Sequence, residues 1–153
     1  MSEKIFIGTD SGATTTKFCA VYENGETVST RVLQRPTNSQ DGREAVIGGW
    51  IAGIGEFLAQ NGRRWAQVHA VGLAIPGPYE RYGVWGQSPN LPAHFCGWDG
   101  HPAFSEALAA AIGRPVPLSV GHGGTYRALA PDHLTRATQR PTGAALNARS
   151  ETE

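Results

Sequence analysis

Between two apolar runs near the amino terminus, IFIGTDSGATTTKFCAVY (Ile5 to Tyr22), stand an acid, a serine, three consecutive threonines and a lysine. Asp10, Ser11, Thr14, Thr15, Thr16 and Lys17 bring together one carboxylate, four hydroxyls and one ammonium. An ordinary turn between strands needs far less. Phosphate oxygens accept many hydrogen bonds at once, and backbone N–H groups, hydroxyls and an ammonium supply them together. Asp10 is unsuited to touching phosphate, but a carboxylate can hold Mg²⁺ through water, as hard cations prefer in phosphoryl-transfer sites. The same residues also suit a polar hairpin whose hydroxyls satisfy local backbone groups. The GxxxxGK[ST] spacing of a Walker A loop is absent.

Such side chains need a frame. Lys4–Gly8 and Thr16–Tyr22 are expected strands on either side of this segment. Asn24-Gly25 predicts a type I′ hairpin turn into a third, alternating strand over Thr27–Gln34. Pro36–Gln40 is expected as loop. Asp41 is placed to cap a helix near 42–60, whose Val46, Ile47, Trp50, Ile51, Ile54, Phe57 and Leu58 recur at helical spacing, and Asn61-Gly62 ends it. Val68–Ile75 is a short apolar run of buried-strand type, followed by a loop-like stretch over 79–97. A second helix is expected near 99–112, with Asp99 as its amino-terminal cap, and a fifth strand over Val116–Val120. The order β-β-β-α-β-α-β implies an α/β fold: a mixed five-stranded sheet carrying helices.

At 153 residues the chain has the size of one domain, able to bury roughly 68–70% of its unfolded surface. Its 40% hydrophobic and 17% charged residues describe a globular chain. A formal net charge of zero gives no field to recruit nucleic acid or an anionic membrane. No run approaches the ~20 apolar residues of a membrane span, and Cys19 and Cys96 make no disulfide framework, so a cytoplasmic protein is expected. Beyond Ser119 the chain turns to glycine, threonine, alanine and four arginines, which reads as a poorly ordered tail. The expected division is a folded lobe over 1–118 and a divergent tail over 119–153.

Four segments in order carry a resemblance. Asp10-Ser11-Gly12-Ala13-Thr14-Thr15-Thr16-Lys17, Ala74-Ile75-Pro76-Gly77-Pro78, Ser88-Pro89-Asn90-Leu91-Pro92 and Gly113-Arg114-Pro115-Val116 lie within residues 4–118. Together they resemble the ROK family (repressors, open reading frames and sugar kinases), within the wider actin-like, hexokinase-like phosphotransferases. The resemblance implies a ribonuclease-H-like (actin-like ATPase) lobe, with ATP, Mg²⁺ and a hexose bound in a cleft between two lobes. It implies that Asp10, Gly12, Thr14, Thr15 and Lys17 belong to the phosphate loop, with Asp10 toward Mg²⁺, and that Gly77 and Asn90 lie near the sugar. Ala13 replaces a glycine usual in the family, and its methyl narrows the approach of phosphate to the backbone.

The resemblance also has gaps. ROK kinases follow the G-x-P-V strand with Asn-Asp, whose aspartate deprotonates the attacking sugar hydroxyl. Here the chain reads Pro117-Leu118-Ser119-Val120-Gly121-His122, so the catalytic base is unassigned, and His122 reads more simply as a loop histidine than as a substitute. The family's second lobe, with its Glu-x-Gly-His sugar motif, zinc cysteines and adenosine pocket, has no counterpart in these residues. The expectation is a truncated, ATP-dependent hexose kinase lobe, inactive alone, whose partners are a sugar and a nucleotide, with self-association left open. The alternative is a non-catalytic sugar-sensing regulator or interaction module of the same fold. His94, Cys96 and His101 match no zinc spacing. Trp50 is expected in the core, and Trp85 is the one tryptophan placed as a sugar neighbour.

Overall fold

A computed structural model describes residues 3–81 and 83–122. Seven strands and two helices follow in chain order: β1 (Ile5–Ser11), β2 (Thr15–Tyr22), β3 (Leu33–Pro36), α1 (Arg43–Gln60), β4 (Val68–Ile75), β5 (Tyr79–Arg81), β6 (Val84–Trp85), α2 (His101–Ile112) and β7 (Leu118–His122). The main sheet has the order β3-β2-β1-β4-β7, and β5 pairs with β6 in a separate small hairpin. β1 runs antiparallel to β2 and parallel to β4, and β4 runs parallel to β7. This is the mixed five-stranded sheet expected from the apolar pattern.

Alternation sorts each strand into two faces. Ile5, Ile7, Thr9 and Ser11 of β1 turn inward, as do Thr16, Phe18 and Ala20 of β2. They meet Val46, Trp50, Ile54, Phe57 and Leu58 of α1 and Phe104 and Leu108 of α2, so one core joins both helices to one face of the sheet. Trp50 crosses Phe104 edge-on at 4.9 Å, which locks α1 to α2. At Gly53 the helix lies so close to the sheet that an added Cβ would fall 2.1 Å from Phe18 Cζ.

Local chemistry moved several elements. The third strand pairs only from Leu33 to Pro36, because five residues (28–32) stand opposite two on β2 between the Val21–Thr27 bridge and the Phe18–Leu33 pair. Within that bulge the Ser29 hydroxyl accepts the Arg31 N–H, a local bond that competes with the ladder. Pro36 sits in the strand rather than in a loop, tolerated because β3 is the sheet edge. Asn38 is the one non-glycine with positive φ among the described residues, so Asn24 does not adopt a type I′ turn and Gly25 alone takes the left-handed angle there. Asp41 lies in a short 3₁₀ turn, and Gly42 occupies the cap of α1.

Asp99 caps from one residue further out than expected: Gly100 is the N-cap, and Asp99 Oδ1 accepts the His101 N–H at 3.0 Å. The last strand begins two residues late because Pro115 and Pro117 have no N–H to donate. Instead Pro117 O accepts the Val71 N–H at 3.0 Å, and pairing then runs to His122. Residues 119–122 of the expected tail therefore belong to the sheet. The rest of the tail lies outside the described residues.

One buried hydroxyl gives a stability prediction. Thr9 is 3% exposed and its Oγ1 has no hydrogen-bond partner among the described residues. Thr9→Val keeps the shape and removes the unpaired group, so it should stabilise the chain by about 1 kcal/mol. Urea unfolding measures this, and a loss of stability would mean that the hydroxyl is satisfied in solution.

Candidate functional site

The first hairpin presents two different surfaces. Asp10 pairs with Lys17 across β1 and β2, and Ser11 pairs with Thr16 one step nearer the turn. Because side chains alternate, Asp10 and Lys17 are both exposed while Ser11 and Thr16 are each 2% exposed. The ion-capable pair faces outward from the end of the sheet. The hydroxyls of Ser11 and Thr16, grouped with the phosphate donors on composition, are committed to the interior. Thr14 is exposed, and Gly12, Ala13 and Thr15 are half-buried.

Inside, a run of hydroxyls links helix α1 to the hairpin loop. Trp50 Nε1–H donates to Ser11 Oγ at 3.0 Å, Ser11 Oγ and Thr16 Oγ1 are 3.2 Å apart, and Thr16 Oγ1 and Thr37 Oγ1 are 2.8 Å apart. Thr37 Oγ1 ends the run by donating to Gly12 O at 2.8 Å. An indole N–H only donates, a carbonyl only accepts, and each hydroxyl has one proton. The direction of every bond is therefore set: Trp50 to Ser11 to Thr16 to Thr37 to Gly12. Nearby, Thr37 N–H donates to Thr14 O at 2.9 Å and Ser39 Oγ donates to Ala13 O at 2.9 Å. Thr37 and Ser39 escaped the sequence reading, where the only signal was a hydroxyl beyond Arg35-Pro36.

Gly12 has its own task. Its N–H donates to Thr15 O at 2.9 Å, and a Cβ at this position would stand 3.0 Å from that same oxygen. The missing side chain lets the loop close, and the Gly12 N–H is already used.

β1, β4 and β7 run parallel, so their carboxyl ends share one edge, the place where open α/β sheets form ligand crevices. Across that edge the register aligns Lys17, Asp10, Ala74 and Gly121 in one row. On the β4 side of Asp10 the row carries only a methyl and a glycine, leaving that side of its carboxylate uncrowded. β7 itself holds no carboxylate, and His122, its last residue, is in register with Ile75. Gly77 follows β4 by two residues and joins Pro78 by a cis peptide bond. The Gly86 N–H donates to Pro78 O at 2.8 Å, tying the Ser88–Pro92 segment to the same exit, and Asn90 on it is exposed.

Trp85 is not on an open loop. It is 4% exposed, with its ring centroid 4.8 Å from Phe95 and 4.9 Å from Trp98, so it is a core residue and no sugar neighbour. Trp50 lies in the core as its helical stripe required. His101 Nε2 is 3.1 Å from Leu118 O, and the His94 ring centroid lies 4.6 Å from that of Phe95, so both imidazoles take part in packing contacts.

Cys19 lies two pairs along from the Asp10–Lys17 row, on the same face and opposite Gly8. The residue reaches the surface, yet its sulfur packs over Gly8, where an added Cβ would lie 3.0 Å away. Loss of water around the sulfur pushes the thiol pKa up, and the Asp10 carboxylate adds to this.

Among the described residues no three His, Cys, Asp or Glu side chains gather as a metal site. Mg²⁺ does not require such a cage: it keeps several waters and binds through one or two carboxylates together with substrate phosphates. A single exposed Asp10 beside a phosphate-suited loop fits that mode.

No protein-family model matches the chain, and no curated protein matches it either. Solved structures do. An inorganic polyphosphate/ATP-glucomannokinase from Arthrobacter sp. strain KM is 24% identical, with a TM-score of 0.57 over 78% of this chain and 44% of its own. A ROK hexokinase from Thermus thermophilus is 26% identical, with a TM-score of 0.53 over 76% of this chain and 35% of its own. A ROK family glucokinase from Streptomyces griseus, in complex with glucose and AMPPNP, is 21% identical, with a TM-score of 0.55 over 82% of this chain and 38% of its own. The chain thus spans less than half the length of each. Over that span it has the fold of the ROK-family glucokinases and sugar kinases.

Proposed function

We propose that this chain is the phosphate-binding lobe of an ATP-dependent hexose kinase of the ROK type. The observation that carries the reading is the Asp10–Lys17 pair, exposed side by side at the carboxyl end of the parallel strands next to the Gly12–Thr15 loop. Lys17 neutralises phosphate charge, Thr14 and Thr15 add donors, Gly12 closes the loop, and Asp10 holds Mg²⁺ through water. Gly77 and Asn90 stand toward the sugar. The glucose and AMPPNP in the Streptomyces griseus structure support sugar and nucleotide as the ligand classes. Among the described residues no helix is long and apolar enough to cross a membrane, and Cys19 and Cys96 form no disulfide with each other; we assign the chain to a reducing cytoplasm.

On its own the chain should bind but not turn over. In-line transfer needs the nucleophile, the γ-phosphate and the metal held together, and β7 offers no carboxylate base. A general base contributes ~10²–10⁴ in rate, so its loss alone leaves little. Calorimetric titration with ATP and with tripolyphosphate, each with and without Mg²⁺, tests the binding. We expect weak, Mg²⁺-dependent binding of both, of similar strength, because phosphate contacts supply the affinity. A coupled assay over a hexose panel should detect no product. Absence of binding would remove the phosphate reading, and turnover abolished by His122→Ala would assign that histidine as the base.

A further inference from the structure

The three consecutive carbonyls of the hairpin loop all point the same way. Gly12 O accepts from Thr37 Oγ1, Ala13 O from Ser39 Oγ and Thr14 O from Thr37 N–H, at 2.8, 2.9 and 2.9 Å. In a planar trans peptide the C=O of one residue and the N–H of the next point in opposite directions. The N–H groups of Ala13, Thr14 and Thr15 must therefore point away from the 37–39 segment. Among the described residues, Ala13 and Thr14 N–H donate no backbone bond. Successive N–H groups converging from one stretch of backbone make an anion-binding concavity.

The geometry points to Thr37 and Ser39 as positioning residues for phosphate: they hold the loop carbonyls back so that its amides face the ligand. Both are nine-tenths buried or more, at 5% and 6% exposure, so neither is itself placed to touch the ligand. The Trp50–Ser11–Thr16 run supplies a donor to Thr37 Oγ1 and leaves the Thr37 proton for Gly12 O, which couples the loop orientation to the packed core. This inference rests on the phosphate reading above and adds residues that lie outside the loop.

Two measurements on the 153-residue chain test it separately from that reading. The first is the ligand-free ¹H–¹⁵N spectrum. Thr37→Val and Ser39→Ala should each move the Ala13, Thr14 and Thr15 amide resonances, whereas Thr37→Ser should restore the wild-type positions. The second is calorimetry with Mg²⁺–tripolyphosphate, in which each hydroxyl loss should weaken binding about tenfold and Thr37→Ser should not. Because Thr37→Val also strands the buried Thr16 hydroxyl, Ser39→Ala, which lies off that run, serves if the former fails to fold. Loop resonances left in place in Ser39→Ala and in any folded Thr37→Val chain, or a thermal midpoint lowered with affinity unchanged, would overturn the positioning role. A wild-type chain that binds no tripolyphosphate removes the phosphate reading, and with it the ligand half of the inference, while the ligand-free spectra still decide whether Thr37 and Ser39 orient the loop.

Discussion

Lys17→Ala is expected to weaken Mg²⁺–ATP binding by roughly ten- to a hundredfold. A hydrogen bond to a charged group is worth about 1.5–3 kcal/mol, and each 1.4 kcal/mol is a factor of ten. Lys17 is exposed, so the effect should fall toward the lower value as salt rises and screens the ammonium. Asp10→Ala should behave differently. With the only carboxylate on the row removed, binding should lose its dependence on Mg²⁺, and what remains should equal the wild type measured without metal. Asp10→Asn separates charge from volume, since the amide fills the same space and should resemble alanine. Calorimetry at two salt concentrations, with and without Mg²⁺, reads all three. Equal affinity in wild type and both alanine variants would move phosphate binding elsewhere on the molecule.

Gly53→Ala is expected to be the most damaging conservative change in the fold. Glycine in a helix interior is unfavourable by ~1 kcal/mol relative to alanine, so on an exposed helix face the substitution would stabilise. At residue 53 the sign reverses. The new methyl would lie 2.1–2.8 Å from three carbons of the Phe18 ring, a fully buried side chain on β2. Relief requires the ring to leave its place or α1 to move off the sheet, and overpacking of this kind costs about 1–3 kcal/mol, occasionally more. Phe18 lies one residue beyond Lys17, so a displaced ring also disturbs the hairpin that carries the site. Chemical denaturation should show the loss of stability directly. Gly53→Ala paired with Phe18→Leu should recover part of it, because the smaller side chain vacates the contested volume. A single variant as stable as wild type would mean that α1 and the Phe18 ring can separate at little cost.

Much of this protein follows from local patterns. Val68–Ile75 is a strand in the structure just as its apolar run required, because a short apolar run between turn signals has few other ways to be buried. The long helix and most of its core residues followed from 3.6-residue spacing, and the first hairpin from two apolar runs on either side of a polar turn. Other features depended on neighbours distant in sequence. Whether Ser11 and Thr16 face ligand or core depends on strand register, which a list of hydroxyls does not reveal. Trp85 reads as an exposed loop residue until Phe95 and Trp98 close around it. Thr37 and Ser39 stand 25 and 26 residues from the carbonyls they hold, so no local motif could disclose them. The residue types of the loop could be read directly, but the way its carbonyls point is decided by hydrogen bonds from Thr37 and Ser39 that only the folded sheet brings within reach.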